Sequence, residues 1–148
     1  MTWSVGVEPL RPAAPRVVIA DDDAVFRSGV RAALQGAGIV VIAEADNGRD
    51  VEIVGEVGDG DTGVRLAAEH QPDVVVLDLE MPGPDPEALL KALRRAAPSA
   101  ALVTFSGHDP ASVAGAAVGE ITLHLPKTTD LAAAGRAVRD LGRRHAAS

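Results

Sequence analysis

Cysteine is absent from the 148 residues, which removes disulfides and thiolate metal sites from consideration. Aromatics are nearly absent too: one tryptophan, two phenylalanines and no tyrosine. A core must therefore be built mainly from aliphatic side chains. Cations are outnumbered, with 14 Lys and Arg against 21 Asp and Glu, for a formal net charge of -7. That balance disfavours direct nucleic-acid binding, which rests on Lys and Arg neutralising phosphates. No apolar run approaches the ~20 residues that span a bilayer. The N-terminus lacks the basic and apolar regions of a signal peptide. The expected location is cytoplasmic, with no membrane partner. At 47% hydrophobic residues, the composition fits an ordinary globular domain.

What the chain does have is alternation. Residues 1–15 carry Pro9, Pro12 and Pro15 without periodicity and read as a flexible tail. Val17-Val18-Ile19-Ala20 then ends abruptly in Asp21, and Phe26, Val30, Ala33 and Leu34 recur on one helical face. A β-rich stretch begins at Ile39, and a short helix is expected over Val64 to His70. Val74-Val75-Val76-Leu77 ends in Asp78, and a helix follows Pro86 with Leu89, Leu90 and Leu93. Ala101 to Phe105 ends in Ser106, a weak helix covers Ala111 to Val118, and Leu123 to Leu125 leads to Lys127. A last helix starts near Asp130, a plausible N-cap. Strands that alternate with helices, and are apolar on every residue, predict a parallel α/β sheet covered on both faces. Ligands in such sheets bind beyond the carboxyl ends of the strands. Asp21, Asp22, Asp78, Ser106 and Lys127 all fall there.

Clustered carboxylates repel one another, and a hard cation such as Mg²⁺ resolves the conflict while leaving room for phosphate oxygens. An aspartate can act as nucleophile toward a phosphoryl group. A lysine and a hydroxyl can hold the phosphoryl oxygens. Singly, each residue has a plainer reading: Asp21–Asp23 as helix caps, Ser106 as a turn residue, Lys127 as a solvated lysine. The order in which they appear, each at the end of a successive apolar run, is what favours the joint reading.

On these residues the chain resembles a response-regulator receiver domain of two-component signalling over residues 16–144. RVVIADDDAVFRSGVRAAL is similar to the family's first strand, acidic pair and first helix. DVVVLDLEMPG is very like its phosphorylation-site segment, LVTFSG its switch-hydroxyl segment, and LPKTTDL its lysine segment. The resemblance implies a doubly wound (βα)5 fold, five parallel strands in the order 2-1-3-4-5. It implies Asp78 as phosphoacceptor, Mg²⁺ held by Asp21, Asp22, Asp78 and the backbone carbonyl of Glu80, and phosphoryl contacts from Ser106 and Lys127. A sensor histidine kinase would be the donor. Ser106 and the residue at the family's aromatic switch position, here His124, would reshape the surface of helix 4, strand 5 and helix 5 for a downstream protein or output domain. His124 also reads as a half-exposed edge-strand histidine. Glu80 and His108 flank the site and could gate the attacking water.

The chain departs from the family in three places. The gap from Asp22 to Asp78 is longer than usual, and Val41-Ile42-Ala43-Glu44-Ala45-Asp46-Asn47-Gly48 is echoed by Ile53-Val54-Gly55-Glu56-Val57-Gly58-Asp59-Gly60. An inserted, duplicated segment around strand 2, approximately residues 46–57, is therefore expected. Because strand 2 is an edge strand, the extra β segment offers a route to a homodimer. Gly119-Glu120-Ile121-Thr122 replaces the usual Gly-Ala pair, and Pro126 precedes Lys127. After residue 144 only residues 145–148, read as a tail, remain, so a stand-alone receiver or one cut from a longer chain is expected.

Two other functions compete with this reading. One is a receiver-like interaction module that phosphorylation does not regulate. The other is a haloacid-dehalogenase-type phosphatase, with Asp21 as nucleophile and Asp23 as acid/base. That family needs a later acidic pair at a strand end, whereas only Asp130 and Asp140 follow Lys127. The expectation is a non-enzymatic phosphoacceptor.

Overall fold

A computed structural model describes residues 14–36, 52–58, 60–81 and 85–146. Among the described residues, five strands form one sheet: β1 (Arg16–Ala20), β2 (Glu52–Val57), β3 (Val74–Asp78), β4 (Ala101–Ser106) and β5 (Leu123–Pro126). Among the same residues, five α-helices connect or flank them: α1 (Ala24–Gly36), α2 (Gly60–His70), α3 (Pro86–Ala96), α4 (Pro110–Ala114) and α5 (Leu131–Ala146). The strand order is β2-β1-β3-β4-β5 and every pairing is parallel. This is the order the resemblance implies.

The alternation of side chains along a strand sorts the core into two layers. Val18, Ala20, Val75, Leu77 and Leu102 pack on one face with Ala67 of α2 and Leu89, Leu90 and Leu93 of α3. Val17, Ile19, Val74, Val76, Val103 and Phe105 pack on the other with Val30 and Leu34 of α1 and Ala134 and Val138 of α5. All residues of β3 and β4 are buried, as central parallel strands require. β5, at the sheet edge, is only half-buried.

Aspartates start α1, α3, α4 and α5. Asp23 accepts from Val25 N and Phe26 N at 3.0 and 3.1 Å. Asp85, Asp109 and Asp130 accept in the same way from Ala88 N, Ala111 N and Ala133 N. Each satisfies backbone donors that the first helical turn leaves unpaired.

Several boundaries differ from the sequence expectation. Of the expected insertion at 46–57, residues 52–57 form β2 and pair with β1 from Arg16↔Glu52 to Ala20↔Val57, with a register shift between Val17 and Val18. They are sheet, not insertion. The second copy of the repeat thus supplies the strand, while the first lies outside the described residues. A Cβ on Gly55 would sit 2.8 Å from Leu66 Cδ1, and the matching residue of the first copy is Ala43.

The helix expected over Ala111 to Val118 is α4 followed by a 3₁₀ segment, Gly115–Glu120. Gly115 has φ +56, which ends the α-helical path. Arg94 then ties the segment to α3, donating to Glu120 Oε1 at 3.0 Å and to its carbonyl at 3.3 Å. At the C-terminus α5 continues through His145 and Ala146, which were read as tail. Pro15, also read as tail, is buried and close to Gly142.

Candidate functional site

The parallel sheet brings the carboxyl ends of β1, β3, β4 and β5 to one rim. Asp21 follows β1, Asp78 ends β3, Ser106 ends β4 and Lys127 follows β5. The registers set their alignment: Asp78 pairs with Phe105 and Ser106 with Pro126. Lys127 N donates to the Ser106 carbonyl at 3.1 Å, which carries the lysine onto the rim.

Asp21 and Asp78 are each 3% exposed, while Asp22 is exposed. One carboxylate oxygen from each of the three lies within 4.8 Å of the others. Lys127 Nζ donates to Asp78 Oδ2 at 3.0 Å. The other oxygen, Oδ1, accepts from Glu80 N at 2.9 Å. Burial pushes the Asp21 carboxyl up to about 6. The Asp23 amide and the Lys127 charge oppose the rise, and the charges of Asp78 and Asp22 add to it. For Lys127, burial works against the charged form, but the hydrogen bond and charge of Asp78 prevail and hold the ammonium above its usual range. The donor set, three carboxylates of which two are buried, suits a hard, oxygen-seeking divalent cation.

The residues that sequence reasoning selected at this rim are therefore adjacent: Asp21, Asp22, Asp78 and Lys127. Ser106 stands beside them but is engaged. Its hydroxyl donates to Glu80 Oε2 at 3.0 Å, and His108 N donates to its Oγ at 2.9 Å. Glu80 Oε2 also accepts from Gly107 N at 3.2 Å and is bonded to His108 Nδ1. The imidazole of His108, above all, holds the Glu80 carboxyl below its usual range against the effect of burial, and Ser106 and Gly107 add to that.

His124 lies apart from this cluster, on β5. Its Nδ1 is 2.7 Å from Oγ1 of Thr104, its register partner on β4 and fully buried. Burial lowers its pKa, partly offset by Asp109.

Two participants were missed. Phe26 had been read only as core, yet Lys127 Nζ stands 5.6 Å above its ring, which meets Phe105 edge-on at 5.2 Å. Its position one helical turn past Asp22 was the available signal. Arg27 Nη1 donates to the Asp21 carbonyl at 2.6 Å. Glu80, expected as a backbone-carbonyl ligand and, with His108, as a gate for the attacking water, also accepts from Ser106 and Gly107 through its side chain. As for the phosphatase alternative, Asp23, its acid/base candidate, caps α1, and Asp130 caps α5.

The response regulator receiver domain profile matches residues 50–138. The chain belongs to that family. It is 34% identical over 103 residues to the transcriptional regulatory protein NarL of Mycobacterium tuberculosis, covering 70% of this chain and 43% of NarL. To the transcriptional regulatory protein PdtaR of the same organism it is 38% identical over 96 residues, 64% of this chain and 41% of PdtaR. The chain thus spans less than half the length of these curated relatives. The solved signal receiver domain of the M. tuberculosis NarL superposes with a TM-score of 0.71 at 32% identity, covering 88% of this chain and 98% of that one. The receiver domain of AraT from Geobacillus stearothermophilus gives 0.70 at 29% identity, over 89% and 95%. Among the described residues, no helix is long and apolar enough to cross a membrane.

Proposed function

We propose that this receiver domain takes a phosphoryl group on Asp78 and that the modification controls a protein-binding surface. One observation carries the reading: the buried Asp78 carboxylate stands within 4.8 Å of Asp21 and Asp22 and is bonded by Lys127 at 3.0 Å. Asp21, Asp22 and Asp78, with the carbonyl of Glu80, would hold Mg²⁺. When bound, the ion offsets the negative charge of the carboxylates and of the incoming phosphoryl oxygens. An Asp78 oxygen attacks phosphorus, the bond to the donor's leaving group breaks, and the leaving group departs with that electron pair. Lys127 holds one phosphoryl oxygen by charge, and the Ser106 hydroxyl and Gly107 amide take another. The donor in the cell would be a sensor histidine kinase.

Movement of Ser106 toward the phosphoryl group would alter the neighbouring register Thr104↔His124 and, through it, the face of α4, β5 and α5. The recipient of that change is a downstream protein or an output domain, as the regulatory names of the relatives suggest. A second copy of this chain, meeting at the β2 edge, is the homodimer the repeat suggests.

Incubation with Mg²⁺ and acetyl phosphate, followed by intact-mass measurement, tests the reading. A phosphoryl mass gain is expected in the wild-type protein and neither in Asp78→Asn nor without Mg²⁺. A gain that persists in Asp78→Asn would overturn the assignment. No gain, with no response to beryllofluoride, would favour an interaction module that phosphorylation does not regulate.

A further inference from the structure

Glu80 lies two residues beyond Asp78, and its side chain reaches the end of β4. Its Oε2 collects the Ser106 hydroxyl at 3.0 Å, the Gly107 amide at 3.2 Å and His108 Nδ1. Its Oε1 lies 4.0 Å from Lys127 Nζ. Donors from consecutive residues and an ammonium thus surround one carboxylate. Hydroxyl, backbone amide and ammonium are also what a phosphoryl group on Asp78 requires. A hydrogen on such a donor serves one anionic oxygen well, not two. The Glu80 side chain is 30% exposed, so it can leave toward solvent without opening the core.

We propose that Glu80 is an internal competitor for the phosphoryl group. In the resting protein its carboxylate occupies the Ser106 and Gly107 donors, and the phosphoryl oxygens gain them only by displacing it. The inference rests on Asp78 being the phosphoacceptor. It adds to that reading an autoinhibitory contact made by the Glu80 side chain.

The test must separate occupancy from simple charge repulsion. Glu80→Ala removes both the charge and the contact. Glu80→Asp keeps the charge but shortens the reach by one carbon–carbon bond, about 1.5 Å, so its carboxylate falls short of both donors. Beryllofluoride, with Mg²⁺ present, serves as the phosphoryl probe on the whole chain. Binding is followed through the Gly107 amide in ¹H–¹⁵N spectra, whose dispersion also reports that each variant is folded. The Gly107 resonance is expected to move in both variants before any probe is added. Half-saturation is expected at about 3- to 10-fold lower beryllofluoride in both, the worth of one net hydrogen bond. Tighter binding by Glu80→Ala alone, with Glu80→Asp like wild type, would assign the effect to charge and overturn the competition. Wild-type affinity in both variants would also overturn it, while leaving the phosphoacceptor reading intact. Binding by none of the three proteins would overturn that reading and the competition with it.

Discussion

Lys127 Nζ donates to Asp78 Oδ2 at 3.0 Å, joining the segment after β5 to the end of β3. The Asp78 side chain is 2% exposed and that of Lys127 30%. Lys127→Ala leaves a buried carboxylate beside Asp21 with no ammonium to answer it. Without metal, the variant is expected to lose about 1–3 kcal/mol of stability in urea unfolding, the cost of leaving a buried acceptor without its donor. Its phosphorylation by acetyl phosphate is expected to slow on the order of 100-fold, as for loss of a donor aimed at developing charge. Unchanged rate and stability would make the lysine a solvated bystander.

Asp21 gives the metal-free protein a pH dependence. Its carboxyl is raised to about 6 from an ordinary 3.8, chiefly by burial. The folded state therefore binds this proton more tightly than the unfolded chain does. The associated stability is fully present below about 3.8 and is lost as pH rises through about 6, on the order of 3 kcal/mol in all. Thermal melts in a chelator should show wild type gaining less from Asp21→Asn at pH 4 than at pH 7.5. Mg²⁺ should raise the wild-type melting temperature more at pH 7.5 than at pH 4. An Asp21→Asn effect that is equal at the two pH values would refute the account.

The strand-end residues were legible for a physical reason. Central parallel strands are buried on both faces, so they read as unbroken apolar runs, and the first polar residue after each run marks the rim. Val74 to Leu77 followed by Asp78 is the clearest case, and Ala101 to Phe105 followed by Ser106 is similar. The same logic could not find the Glu80 contact. It joins residues 26 apart in sequence and depends on how two loops approach each other. Nor could it decide which repeat forms β2, because the two copies carry nearly the same apolar and acidic pattern. Phe26 was found as an apolar residue on the core face of α1, and its ring's place beneath Lys127 emerges only from the fold.

Phe26 places an aromatic face 5.6 Å from the Lys127 ammonium. A contact of that kind is worth about 0.5–2 kcal/mol. Phe26→Leu keeps an apolar side chain but removes the ring. It is expected to slow phosphorylation by acetyl phosphate about 3- to 10-fold, whereas Phe26→Tyr, which keeps an aromatic face, restores most of the rate. Equal rates for the Leu and Tyr variants would mean that only bulk matters there.

His124 should act in the opposite pH sense to Asp21. Burial lowers its pKa from the usual 6.5, so the ring is neutral at pH 7 and bonded to Thr104 Oγ1 at 2.7 Å. For a depressed base, the contribution to stability is present above the unfolded pKa and is lost as pH falls below about 6.5. His124→Phe should flatten that part of the profile in unfolding measurements between pH 7.5 and 5.5. An unchanged slope would place the titration elsewhere.

Gly135 tests the α1–α5 contact. A Cβ built there would lie 2.7 Å from the Ala33 carbonyl oxygen and 3.2 Å from Ala33 Cβ. The first is a backbone atom of α1, so it cannot swing aside as a side chain tip can. Elsewhere in a helix, glycine to alanine is a gain, because alanine loses less backbone entropy on folding. Here the clash outweighs that gain. Gly135→Ala is expected to lower unfolding stability by about 1–3 kcal/mol, the usual cost of overpacking a fitted interface. Gly119, with nothing within 4 Å of an added Cβ, is the control and should tolerate alanine with little change. A stabilised Gly135→Ala protein would show that α1 and α5 can move apart without cost.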